Sequence, residues 1–186
     1  GGGLVVAGRG KQYGWTGGLT VPAACILVGN VTRQAVAAAS PANVPGMVAL
    51  SADAQLKVGD FTGNKMAGGI SNIYIDGNFV GGASGSLSKK GLVRLAGVNQ
   101  LVNNLFVERS AGDGIVYDGL QNSTIVGGHS TQHLGAALVW DNGTGALNFS
   151  GGYYGTSKGG VLECRDTAGE GNLYPFGPSN SNMNGS

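Results

Sequence analysis

Apolar residues return along this chain at a step of 23. Leu4, Leu27, Leu50 and Ile73 are each 23 residues apart, and the series continues through Leu101, Thr124 and Leu147 with steps of 28, 23 and 23. Two positions on, Val6, Gly29, Ala52, Ile75, Asn103, Val126 and Phe149 form a second, mostly apolar column, the period-2 alternation of a strand with one face on a core. The C-terminal half adds a further strand per unit: Leu92, Ile115, Leu138 and Val161 sit 23 apart, with Val93, Val116, Val139 and Leu162 beside them. Polar turns follow three of the four, Asp118-Gly119, Asp141-Asn142 and Arg165-Asp166. A 23-residue unit of two or three short strands cannot bury its apolar face alone, whereas stacked units can. The spacing therefore predicts an all-β solenoid of about seven coils, ~4.8 Å apart. A sandwich has no need of a constant step, and a propeller blade is about twice as long.

Composition narrows the reading in the same direction. The chain has 37 glycines in 186 residues, and glycine costs about 1 kcal/mol relative to alanine inside a helix, which disfavours a bundle. The glycines follow no strict triplet, so a collagen helix is excluded. Hydrophobic residues make up 41%, with 11 Lys and Arg against 10 Asp and Glu, which fits neither a disordered chain nor a basic nucleic-acid binder. The run Cys25–Val28 is far short of the ~20 apolar residues of a spanning helix, so no membrane insertion is expected. Cys25 and Cys164 read as free, buried thiols. The chain opens on three glycines without Met, which reads as a piece of something longer. The segment Gly81–Ser86 inside the 28-residue step reads as an inserted loop. The rhythm is lost from Gly169, which divides the chain into a repeat domain, 1–168, and an irregular tail or linker, 169–186.

Three phrases carry a resemblance: Leu19–Gly29 (LTVPAACILVG), Ile70–Asn78 (ISNIYIDGN) and Gly112–Gly119 (GDGIVYDG). They resemble coils of the right-handed, single-stranded parallel β-helix of pectate-lyase-like proteins. The Gly- and Asn-rich, weakly charged style is most similar to bacteriophage tailspike and tail-fibre domains, over about residues 4–166. That resemblance implies a homotrimeric virion tail appendage, in contact with other tail proteins, that binds a bacterial surface polysaccharide. A depolymerase of the same fold, a hydrolase or a lyase, is the alternative reading, and a secreted or surface-bound bacterial adhesin is another.

Sites have to be argued from side chains, because fold alone does not give function. Arg94, Tyr117, Trp140 and Glu163 form a column at the 23-residue step, two rings between a cation and an acid, that its mixed chemistry assigns to the outside. Stacked rings on a flat sheet suit the C–H faces of sugars, so this column is the expected glycan-binding platform. Packing under a loop or against another subunit is the competing reading. Asp118 and Asp141 fall on adjacent coils at a separation near that of a retaining glycosidase pair, although an Asp before Gly or Asn is also what a turn requires. Glu108 and Asp113, with Arg109 between them, form a second carboxylate pair, for which a surface salt bridge to Arg109 is the simpler account. His129 and His133 have no partners at metal-ligand spacing, so no metal and no cofactor are expected.

Overall fold

The computed structural model describes residues 11–31, 44–62, 67–79, 91–142, 144 and 147–165, together with the backbone of 4–6 and 182–184. The described residues form an all-β structure in which every paired strand is parallel, arranged in two sheets. The second sheet is a plain stack of six strands: β3 (Gly18–Pro22), β6 (Gln55–Gly59), β8 (Val93–Val98), β10 (Ile115–Gln121), β13 (Leu138–Asp141) and β16 (Leu162–Cys164). The chain leaves this sheet after each strand and crosses to the first. That sheet is centred on two eight-residue strands, β7 (Gly69–Asp76) and β9 (Leu101–Glu108).

Both long strands bend in the middle, at Asn72 (φ 51°) and Asn104 (φ 48°). Asparagine tolerates the left-handed region better than other residues with a Cβ. The two side chains also stack, the Asn104 amide donating to Asn72 Oδ1 at 3.0 Å. Later connections take the same bend with glycine. Gly127 (φ 62°) and Gly128 (φ 77°) separate β11 (Thr124–Val126) from β12 (His129–Thr131). A Cβ on Gly127 would lie 2.4 Å from Asn104 Oδ1. Gly151 and Gly152 separate β14 (Asn148–Ser150) from β15 (Tyr153–Gly155) in the same way. Each long strand thus serves two columns. Its first half pairs towards β4 (Ile26–Val28) and β11, and its second half towards β5 (Gly46–Ala49) and β12. The outer members are β1 (Leu4–Val6) on β4, β2 (Gln12–Trp15) on β5, and β17 (Asn182–Asn184) on β15.

The register keeps the 23-residue step in one region and corrects it elsewhere. Leu101 pairs with Thr124 and Ile115 with Leu138, each 23 apart. In the N-terminal half, Leu27 pairs with Ile70, 43 residues on, and Leu56 with Val93, 37 on. Leu50 belongs to no strand and is 56% exposed, so the even spacing of Leu4, Leu27, Leu50 and Ile73 is not a structural column. In the second sheet the true column is Leu19, Leu56, Val93, Ile115, Leu138 and Leu162, which begins and ends one residue away from the expected Leu92 and Val161. The expected loop at Gly81–Ser86 and most of the tail lie outside the described residues.

One core fills the space between the sheets. Leu56, Val58, Val93, Leu95, Ile115 and Leu138 from the second sheet meet Ile70, Ile73, Ile75, Val102, Leu105 and Val107 from the first. At roughly 1.5–3 kcal/mol for each aliphatic side chain fully buried, these stacked columns are the main stabilising term. Neither cysteine fits the expected buried thiol: Cys25 is half-buried and Cys164 is exposed.

Candidate functional site

The expected aromatic platform is not on the surface. Register splits it into two columns: Lys57, Arg94, Val116, Val139 and Glu163 line up on one side of the second sheet, and Val58, Leu95, Tyr117, Trp140 and Cys164 on the other. Alternation then turns Tyr117 inward. It is fully buried, and it packs edge-on against Trp140 at 5.7 Å and Phe149 at 5.9 Å. The Tyr117 hydroxyl has no hydrogen-bond partner among the described residues, and burial pushes its pKa well above the ordinary phenol value. The platform expectation is overturned because the columns shift by one between β8 and β10 and again between β13 and β16.

The carboxylates expected to be catalytic are mostly committed to structure. Asp118 and Asp141 do face each other in register. Asp118 accepts from Arg94 Nη2 at 2.6 Å and from the Asn142 side chain, while Asp141 accepts the Asn142 backbone N–H at 3.0 Å. Asp113 is buried, accepting the Ala136 N–H at 2.9 Å and Arg165 Nη1 at 2.6 Å. The other side of Arg165 grips both oxygens of Glu163, at 2.7 and 2.6 Å. Arg94 and Glu163 therefore belong to two separate ion-pair groups.

Glu108 is different. On the outer side of the first sheet, Tyr74, Phe106, His129 and Tyr153 stack in one column, and Asp76, Glu108, Thr131 and Gly155 in the next but one. Val31 and Val44 cover Tyr74 and Phe106, which are fully buried, while His129 and Tyr153 further along the column are partly exposed. Glu108 Oε2 accepts the Tyr74 hydroxyl at 2.8 Å, and Oε1 lies 2.7 Å from His129 Nε2. The His129 contact is an ion-pair distance off the N–H axis, since no acceptor is aligned with Nε2. The His129 ring meets Phe106 edge-on at 5.1 Å. Arg109 does not pair with Glu108 as expected; its guanidinium forks onto both oxygens of Asp76, one at 2.9 Å.

The electrostatics follow from these contacts. Burial acts to raise Glu108, but His129, the Tyr74 hydrogen bond and Arg109 outweigh it and hold the carboxyl below its usual value. Burial, with the negative charge of Glu108 and Asp76, raises Tyr74 far above an ordinary phenol, so its hydroxyl stays a donor. The result is an ionised acceptor flanked by a histidine and a forked arginine, with Glu108, His129 and Arg109 each 14–25% exposed. Such a ridge can hydrogen-bond a polar group, and its Glu108 carboxyl is ionised at neutral pH.

His133 serves the interior instead. Its Nδ1 accepts the Ser110 N–H at 3.0 Å, which places the ring proton on Nε2, facing Ser130 Oγ at 2.9 Å. Ser130 donates its own hydrogen bond to the Ala137 carbonyl at 2.7 Å, so this buried pair is not a nucleophile with its base. Burial lowers His133 to about 3. Among the described residues no three His, Cys, Asp or Glu side chains group as metal ligands. Tyr74 and Asp76 had a signal in the sequence: Tyr74-Ile75-Asp76 and Phe106-Val107-Glu108 repeat aromatic, branched, acid, but at a step of 32.

No protein-family model matches the chain, and neither a curated protein nor a solved structure matches it.

Proposed function

We propose that this chain is a right-handed, single-stranded parallel β-helix of about seven coils that works as a tailspike- or tail-fibre-like module, recognising a bacterial surface polysaccharide. In this reading it forms a homotrimer within a virion tail appendage, next to other tail proteins. The observation that carries it is the ridge of Glu108, His129 and Arg109 on the outer side of the first sheet, with Tyr153 next in the column. An ionised acceptor and fixed donors beside a half-buried ring suit sugar hydroxyls and the apolar face of the same sugar. Glu108, His129 and Tyr153 stand on strands, where geometry is held more precisely than on loops, and Arg109, directly after β9, is held by its fork onto Asp76.

Binding is favoured over cleavage by the state of the acids. Asp76 and Glu108 stand opposite each other in register, the arrangement a hydrolase needs, yet Asp76 is locked by Arg109 and Glu108 is held ionised. A glycosidase requires one carboxyl kept protonated as general acid. Equilibrium binding to a panel of capsular and lipopolysaccharides tests the proposal. Glu108→Gln and Tyr153→Ala should each weaken binding of the recognised glycan about tenfold or more with the fold retained, and no new reducing ends or unsaturated products should appear. Unchanged affinity in both variants would remove the ridge from recognition.

A further inference from the structure

A cavity of about 230 Å³ lies where residues following β5, β7 and β9 approach the starts of β3, β6 and β8, with Gly77 and Ser110 of its lining next in the chain to Asp76 and Arg109. We propose that it binds one carboxylate-bearing sugar unit, with Lys57 taking the carboxylate. The volume holds about eight waters and falls below the 300–1,000 Å³ typical of larger ligand sites, which limits the occupant to one ring. Its polar lining comes from Ser51, Asp53, Gln55, Lys57 and Ser110, and Leu92 is the one large apolar side chain among the described residues around it. That surface offers donors and acceptors in several directions but no aromatic wall, which suits a hydroxylated ring and not a flat or lipidic ligand.

The charge preference comes from a second observation. Lys57 lies directly opposite Arg94 on the neighbouring strand, and like charges so placed repel. Arg94 is compensated by Asp118 at 2.6 Å. Lys57 has only the Phe61 ring, 5.7 Å from its ammonium, and pairs with no described carboxylate, although Asp53 lines the same cavity. An anion on Lys57 would offset the repulsion, and Asp53, which pairs with no described cation, is left to accept hydroxyls.

The proposal does not rest on the glycan reading of the ridge, and its test separates the two. The full chain is titrated with methyl glucuronide and with methyl glucoside, followed by calorimetry or by ligand-observed NMR. The glucuronide should bind at least tenfold more tightly, with an affinity that falls as salt rises. Lys57→Met should bring it down to the level of the glucoside. Asp53→Asn, at an exposed position that does not threaten folding, should weaken both. Glu108→Gln should change neither. Equal binding of the two sugars, retention of glucuronide preference in Lys57→Met, or loss of it in Glu108→Gln would overturn the assignment.

Discussion

Single side chains decide where this molecule keeps its polarity, and Tyr117 is the clearest case. Its ring fills the core between Trp140 and Phe149, while its hydroxyl is buried without a partner among the described residues. An unsatisfied buried hydroxyl costs roughly 1–3 kcal/mol, so removing it should cost nothing. Tyr117→Phe should leave stability unchanged or raise it by up to about 1 kcal/mol, measured by urea unfolding. A clear loss would mean that the hydroxyl has a partner. Arg94, Tyr117, Trp140 and Glu163 share a 23-residue spacing and mixed chemistry, and nothing in their identities reveals that β8 and β16 are each offset by one position. A one-residue slip sends every side chain to the opposite face, which is why composition alone misplaced the rings. Glu108 was identifiable as an acid at a strand end. Its partners were harder to read, because Tyr74 repeats only at a step of 32 and His129 comes from a strand 21 residues after it.

Strands and their connections carry the next layer of control. The bends at Asn72 and Asn104 and the glycine pairs at 127–128 and 151–152 show one geometry met by two residue types. A third series of left-handed residues closes the first sheet at Arg109, Gln132 and Thr156, with φ of 54°, 61° and 49°. Arg109 is held there by its fork onto Asp76. Thr156 is exposed and β-branched, the least suitable kind of residue for that region. Thr156→Asn should therefore stabilise by about 1 kcal/mol, seen as a rise of roughly 2–4 °C in Tm. Glycine-rich turns and the alternation of apolar residues made strands and corners readable from the chain. The pairing between Leu27 and Ile70 was not, because a 43-residue connection has no period to detect.

Across the whole molecule, acid is the condition that tests the core network. The unfolded His133 takes up a proton near pH 6.5, but in the folded chain burial lowers its pKa to about 3. Between those values the unfolded state binds more protons, so stability is complete above pH 6.5 and is lost progressively as pH falls towards 3. Unfolding free energy at pH 4 should be smaller than at pH 7 by about 3 kcal/mol from this group alone. Glu108, held below its ordinary value, adds a further loss at still lower pH. His133→Asn retains an acceptor for the Ser110 N–H; it should be less stable at pH 7 and should flatten the slope between pH 6.5 and 4. An unchanged slope would show that His133 is not the group responsible.

The uneven steps between stacked strands have a consequence for how such a chain can diversify. Partners lie 23 residues apart in one place, 32 between Gly69 and Leu101, and 43 between Leu27 and Ile70, yet the strands meet in the same parallel pairing. Doubling a flexible connection costs only about 0.6 kcal/mol, less than burying one valine returns. Connection length is thus nearly free of thermodynamic constraint, and the stack can accept insertions or deletions between strands while its buried columns stay in place. Surface loops can change in length and sequence without disturbing the scaffold that holds them.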